Sequence, residues 1–327
     1  MAGTIAADGK PLYVYAEITG YYLSWLADLA GTESATSAAE SAAHAVAWAA
    51  RAFAQTGELP PTRIYLDAAQ AEPDWRNGAV FFFDLAMLLR GLDAASEAGI
   101  AHLPAELRSR LRAELLHFVE NDTLRCALPL HADATLPQRW STCGGPFLVK
   151  ASSRVAYSAR HAPLPVALAR ACVHEDERGA ARAGDVEIGM LHPTLYFAEG
   201  LLLSRPDCAP AIAHLLRRCL NLAQPDGTLP ETANGSKRLR NDIIAQALRV
   251  GLLLREAGTA QAPDTSELDR LAQALIARVD AAGFLPFDTA TAAQGNVWCS
   301  MFAEQALRWY ADAGVAGTPR PNAAALV

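Results

Sequence analysis

The chain is 327 residues long, enough for one large domain or two ordinary ones. Hydrophobic residues make up 51% and charged residues 19%, so a large core is available. The net charge of −7 argues against a general nucleic-acid binder, which carries a basic stripe. The apolar residues are mainly Ala and Leu, with Val and Ile scattered rather than alternating, and this favours helices over strands.

Residues 1–10 contain no basic stretch followed by an apolar core, so no signal peptide is expected. No uninterrupted apolar run reaches the roughly 18 residues of a membrane span. The six cysteines (Cys126, Cys143, Cys172, Cys208, Cys219, Cys299) form no CxxC pair, which fits reduced thiols in a cytoplasmic protein.

In chain order, one kind of segment keeps returning. It reads AEITGYYLSWLADLAG from Ala16, VFFFDLAMLLRGLDAASEAG from Val80 and HPTLYFAEGLLLS from His192. It returns as RNDIIAQALRVGLLLREAG from Arg240 and NVWCSMFAEQALRWYADAG from Asn296. Each copy starts polar or aromatic and runs into a Leu/Ala helix. Starts recur about every 50–65 residues, with a longer gap in the middle, a period that points to stacked helix pairs in a toroid or solenoid.

Partner helices fill the intervals. They are Ser34 to Thr56, Pro104 to Glu120, Ala209 to Ala223 and Asp264 to Ala282, the last opening on a capping-box-like start. These carry more charge than the recurrent copies, so the recurrent helices are assigned inside and the partners outside. The motif G-x-L-P occurs at Gly57, Gly227 and Gly283, where the Gly is expected to provide a left-handed cap after an outer helix. Residues 121–189 read as irregular. Within them Ala151 to Ala159 and Pro165 to Cys172 form a shorter helical pair, Trp140 to Pro146 a loop, and HEDERGAARAGD from His174 a charged surface loop. About six inner helices result. The expected organisation is a single all-α domain over residues 1–316, with 317–327 as a flexible tail.

Glu17-Ile18-Thr19-Gly20-Tyr21, the turn from Gln224 to Leu229, Gln246-Ala247-Leu248 and Gln305-Ala306-Leu307 resemble motifs of bacterial (α/α)-toroid proteins found with exopolysaccharide and glycan biosynthesis genes. The resemblance covers most of the chain and implies an (α/α)6-type toroid. The same toroid serves glycosidases, uronyl lyases, sugar epimerases and terpene cyclases, so it does not choose a reaction.

Glycoside chemistry needs carboxylates at a cavity mouth, one to protonate the leaving oxygen and one to activate water or attack carbon. Candidates at inner-helix starts or rim turns are Glu17, Asp84, Glu199, Glu231, Asp242 and Asp288. Glu17 and Asp84 are the favoured catalytic pair. Glu17 stands beside Tyr21 and Tyr22, whose rings suit a sugar face. Asp84 follows three Phe residues, where desolvation would raise its pKa as a general acid requires. For each, the alternative is structural: a first-turn acid held by the helix dipole, or an Asp bonded to loop backbone.

Residues 231–242 are the densest polar stretch in the chain. Asp242, Gln246 and Arg249 share one helix face, and Arg238, Arg240 and Arg249 suit a carboxylate or phosphate of an acidic sugar. His192, Tyr196, Glu231, Trp140, Trp298 and Gln305 complete the candidate substrate contacts, with Trp75 as a further stacking platform. The competing reading is a solvated loop with structural ion pairs and core aromatics.

The remaining histidines show no HxxxH spacing, so no metal is expected. No GxGxxG, GxxxxGK[ST] or GxSxG motif is present, which argues against a nucleotide cofactor and serine-hydrolase chemistry. The expected function is acid/base chemistry on a glycan or sugar precursor: hydrolysis, elimination or epimerisation. The partner is a small sugar or oligosaccharide, with acidic sugars among the candidates. Two rivals stay open: a non-catalytic glycan-binding or scaffold subunit, and an isoprenoid enzyme of the terpene-cyclase or prenyltransferase kind. The latter lacks a DxDD motif or a convincing zinc set here.

Overall fold

A computed structural model describes the chain except residues 31–34, 55–58, 68–73, 132–133, 237, 292–293 and 314–319. Gly57 of the first G-x-L-P motif therefore lies outside the described residues. Twelve helices run through the described chain: α1 (Ala16–Leu29), α2 (Ala35–Ala52), α3 (Phe82–Glu97), α4 (Ala105–Leu116), α5 (Trp140–Cys143), α6 (Leu148–Ser158), α7 (Val166–Arg182), α8 (Leu191–Ser204), α9 (Ala209–Leu220), α10 (Asn241–Glu256), α11 (Thr265–Ile276) and α12 (Val297–Asp312). Eight strands of two or three residues accompany them: β1 (Thr4–Ile5), β2 (Tyr13–Tyr15), β3 (Arg63–Tyr65), β4 (Ala79–Phe81), β5 (Val119–Glu120), β6 (Thr123–Leu124), β7 (Ala127–Pro129) and β8 (Gly295–Asn296). The strands form four antiparallel two-stranded ladders: β1 with β8, β2 with β3, β4 with β7, and β5 with β6.

The contacts divide the chain into two compact units, Met1–Gly3 with Pro11–Glu175, and Thr4–Lys10 with Asp176–Val327. The boundary falls inside α7. In the first unit α1 packs on α3 and α3 on α6, while α2 covers α1 and α4 covers α3. In the second, α10 is central, flanked by α8 and α12, with α9 and α11 outside. Each unit thus has three inner helices, and they match the recurrent sequence copies plus α6. Two inner helices are buried nearly all round, polar side chains included: Phe82 to Ala95 of α3 and Asn241 to Leu254 of α10 are buried without a break. Such helices need neighbours on every side, and the charged amphipathic helices provide the outer layer.

The packing of α1 on α3 depends on two glycines. A Cβ on Gly20 would sit 2.3 Å from the Met87 carbonyl oxygen, and one on Gly91 would sit 2.1 Å from that of Gly20. No side chain fits there, so the two backbones touch.

Four inner helices, α1, α3, α10 and α12, are entered from an extended residue, Tyr15, Phe81, Arg240 and Asn296, which has strand-like backbone angles and belongs to a short ladder or bridge. Met190 enters α8 in the same way and bridges Thr232. These pairings fix where each inner helix begins and aim its first turn. At the opposite end of an outer helix, α11 starts with a full capping box: Asp264 accepts from the Glu267 N–H at 2.9 Å and its own N–H donates to the Glu267 carboxylate at 3.0 Å.

Four sequence expectations change. Gly227 and Gly283 have φ of +84° and +86°, as expected, but neither caps a helix. Each closes a separate turn several residues after its helix, with Gly227 N–H donating to Gln224 O and Gly283 N–H to Asp280 O, both at about 3 Å. The charged stretch from His174 is helical as far as Arg182, because α7 continues through it and buries Glu175. Trp140 to Cys143 is a short helix rather than loop. Leu326 and Val327, in the segment read as a tail, are buried, and Gln305 donates to Ala325 O at 2.8 Å. Among the described residues no helix is long and apolar enough to cross a membrane. The six cysteines are free thiols.

Candidate functional site

In the first unit Glu17 and Asp84 occupy the first turns of α1 and α3, one helical turn above the contact between Gly20 and Met87. The glycine contact therefore brings the two carboxyl groups together. Asp84 is 8% exposed and Glu17 is half-buried. Tyr15, the last residue of β2, links them. Its hydroxyl lies 3.3 Å from Asp84 Oδ1 and also hydrogen-bonds Glu17, which Tyr21 bonds as well.

Burial, and then the charge of Glu17, push the Asp84 carboxyl well above the usual carboxylate range. Glu17 is raised too, again by burial first. Its rise is opposed by the Tyr21 and Tyr15 hydroxyls and by the positive charges of Lys150 and Arg63. Two acids this close cannot both ionise without cost, so one holds a proton while the other carries the charge. The Tyr15 phenol is pushed well above its ordinary value by burial and by both acids, so it stays a neutral donor.

Lys150 is fully buried in α6, with Nζ 5.2 Å from the Tyr21 ring centroid. Strand β3 sets Arg63 in register with Tyr15. Its guanidinium lies 4.5 Å from the Tyr13 ring and 5.9 Å from the Tyr15 ring, and its NH1 donates to Asp74 Oδ2 at 3.2 Å. Arg76 donates to Asp74 Oδ1 at 3.0 Å and stacks over Trp75 at 4.7 Å.

The second unit gathers a different cluster. Arg240 makes a two-pronged ion pair with Asp242, at 3.1 and 2.6 Å, and reaches Glu231 at 3.3 Å. His192 Nδ1 lies 2.7 Å from Gln246 Oε1 and 3.2 Å from Asp242 Oδ2, and its ring packs on Tyr196 at 4.3 Å. Burial opposes ionisation of Asp242, but Arg240 and His192 outweigh it and hold the carboxyl below its usual range. Asp288 follows the same logic with Arg238: burial is outweighed by the guanidinium, and the carboxyl is lowered. Cys299 is fully buried, and burial together with the Asp242 charge pushes its thiol well above the ordinary value. Deeper along α10, Arg249 donates to Glu199 at 2.6 Å and to Gln305 at 3.2 Å, with all three side chains buried.

Of the residues singled out from sequence, Glu17, Asp84 and Tyr21 come together in the first unit. Tyr22 points elsewhere on α1 and stacks on Trp25 at 5.9 Å. Trp140 packs edge-on against Phe147 at 4.8 Å, and Phe147 contacts Phe83 at 5.9 Å, beside Asp84. In the second unit His192, Tyr196, Glu231, Arg240, Asp242 and Gln246 form one cluster, while Arg249 and Gln305 form the deeper one with Glu199. Trp298 packs on Phe287 at 5.4 Å, and Phe287 also carries the guanidinium groups of Arg238 and Arg240 at 5.3 and 4.4 Å. The three arginines expected to bind an acidic sugar are thus engaged by Asp288, Asp242 and Glu199.

Tyr15, Lys150, Arg63, Arg76 and Asp74 were not singled out from sequence. Lys150 had a signal, a cation placed directly after Leu148 and Val149 in a helix, with Arg154 one turn on. Tyr15 and Arg63 had none, because their proximity arises from strand pairing across 48 residues of chain. Among the described residues no group of three or more His, Cys, Asp or Glu side chains is placed to hold a metal ion.

No protein-family model matches the sequence, and no curated relative does. Solved structures match its fold. A sugar epimerase from a ruminal bacterium superposes with a TM-score of 0.66 at 11% identity, covering 96% of this chain and 92% of that one. A D-mannose isomerase gives 0.65 at 12% identity, over 94% and 90%. An unsaturated glucuronyl hydrolase from Bacillus sp. GL1 gives 0.57 at 11% identity, over 94% and 90%. The likeness shows the fold, an (α/α)6 toroid, as the resemblance implied and as one of the two arrangements, toroid or solenoid, that the periodicity allowed.

Proposed function

We propose that this chain is a carbohydrate-active enzyme that hydrolyses a glycosidic bond, with Asp84 as general acid and Glu17 as general base. The observation that carries this reading is the Tyr15 hydroxyl, which contacts both carboxyl groups in a largely buried site. One phenol proton cannot serve two carboxylates fully, so the arrangement is satisfied when one acid is protonated. Asp84 is the more strongly raised and keeps the proton, while Lys150 favours the charge on Glu17.

Asp84 would pass its proton to the leaving oxygen as the bond from the anomeric carbon breaks. Glu17 would take a proton from the water whose oxygen bonds to that carbon. Asp84 ends as carboxylate and Glu17 as acid, and exchange with solvent restores the starting state. That sugar-processing enzymes share the fold supports a sugar as substrate without choosing the bond.

The test is turnover of oligosaccharide pools by the wild type and by Glu17→Gln and Asp84→Asn. Each substitution removes one partner in proton transfer and is expected to lower the rate by about 10²–10⁴-fold. Unaltered turnover in both variants overturns the assignment. Glycan binding without turnover in the wild type would instead favour the scaffold reading.

A further inference from the structure

Beside the carboxylate pair, the first unit holds a cluster of cations that the hydrolytic chemistry does not use. Arg63 stands in register with Tyr15 across the β2–β3 ladder, so it borders the bridging phenol directly. Its NH1 is bonded to Asp74, but its Nε is buried with no hydrogen-bond partner. An unanswered buried donor costs about 1–3 kcal/mol, and such groups are rare unless something else supplies the acceptor. Arg76 shares the same Asp74 and lies over the indole of Trp75. Arg139 lies 5.7 Å from the Trp75 ring centroid.

Three guanidinium groups are thereby gathered around one indole and one carboxylate. Asp74 is already saturated: it accepts from Arg63, Arg76, the Arg76 backbone N–H and the Tyr65 hydroxyl. Burial opposes ionisation of Asp74, yet these donors outweigh it and hold it below the usual carboxylate range. Arg63 and Arg76 keep 18% and 29% of their side-chain surface exposed, so they are fixed in place yet reachable. Stacking on the indole and phenol rings holds the forks without occupying their N–H groups.

We propose that Arg63 and Arg76, flanked by Arg139, form a subsite for the carboxylate of an acidic sugar, so that the substrate is a uronic-acid-containing glycoside. This rests on the glycosidase reading and names its substrate class. A carboxylate offers two acceptor oxygens in the plane that a guanidinium fork matches, which a neutral sugar hydroxyl does not.

The test is calorimetric titration of the full chain with methyl β-D-glucuronide and, separately, methyl β-D-glucoside. The glucuronide is expected to bind at least about tenfold more tightly, with the preference weakening as salt is raised. Arg63→Lys keeps a charge near Asp74 but lacks Nε and the fork, and it is expected to lose most of the preference. Arg76→Gln, whose folding is checked by its melting curve, is expected to lower it by a similar factor. Equal affinity for the two glycosides, binding of neither, or a preference that survives both substitutions overturns the subsite. Glu17→Gln in the same titration separates the two claims. Retained glucuronide preference alongside unaltered turnover would sink the catalytic pair and leave the subsite standing. Absence of any glucuronide preference in the wild type, with turnover lowered in Glu17→Gln, would do the reverse.

Discussion

The two units use the same construction, inner helices aimed by short ladders, but treat buried acids in opposite ways. In the second unit Asp242, Asp288 and Glu199 each face a guanidinium, and the shifts that Arg240 and Arg238 cause in Asp242 and Asp288 are downward. In the first, Glu17 and Asp84 face each other and phenol hydroxyls, and both are shifted upward. Matched charges make a rigid, neutral cluster with little reason to exchange protons. A pair of acids that compete for one proton is costly to fold and suited to moving that proton. The contrast points to the first unit as the site of acid/base chemistry and to the second as a framework that orders His192 and the turns around it.

The contrast can be broken most sharply at the fully buried pair of Arg249 and Glu199. Glu199→Gln leaves a buried guanidinium charge uncompensated and is expected to cost about 3–5 kcal/mol. The double replacement Glu199→Leu with Arg249→Met removes both charges and should recover most of that loss. Chemical denaturation of the single and double variants measures it. Equal stability of wild type and Glu199→Gln would deny the matched-charge account.

A smaller effect is expected at the glycine contact. Gly→Ala inside a helix ordinarily stabilises by about 1 kcal/mol, but at Gly20 the new methyl would meet the Met87 backbone. Overpacking costs about 1–3 kcal/mol, and backbone cannot rotate away, so Gly20→Ala is expected to destabilise on balance. It should also lower turnover by moving the acids apart. A variant as stable and active as wild type would show that the contact is not needed.

The smallest effects are in pH dependence, where the two regions should have opposite signs. Asp84 has its folded pKa raised above the unfolded value. The folded chain therefore holds more protons between those values, and stability falls as pH rises through that window. Asp84→Asn removes this cost and is expected to raise the melting temperature at pH 8 by about 2 °C or more, with little change near pH 4. Asp242 is shifted downward, so its stabilisation is present above the unfolded pKa and lost as pH falls through the folded one. Asp242→Asn should therefore be destabilising at pH 7 and progressively less so in acid. Melting curves of both variants across pH 3–9 would show it, and slopes of the same sign would dissolve the contrast.

Much of the scaffold was legible in the sequence because it is written locally. The recurrent Leu/Ala helices with polar starts became the inner row, and TSEL after Asp264 became a capping box. Glu17 and Asp84 stood out for a local reason as well, an acid at the head of an apolar helix. What was not legible depends on contacts distant in sequence. Arg238 and Arg249 read as free binding groups because their partners, Asp288 and Glu199, lie 50 residues away. Arg63 and Tyr15 meet only through the β2–β3 ladder. The stretch from His174 read as loop because charge dominates it, although burial of Glu175 and Ala183 keeps one side of it against the protein.

The backbone contact at Gly20, Met87 and Gly91 has a further meaning for how this chain can change. Where side chains separate two helices, each substitution resets their spacing by the volume it adds or removes. Here the spacing is a mechanical stop, carbonyl against α-carbon, and the first turns above it inherit that distance. Repacking the apolar residues around α1 and α3 should alter stability while leaving the gap between the two carboxyl groups nearly constant. The strand that carries Arg63 is then free to change without altering the spacing of the acids.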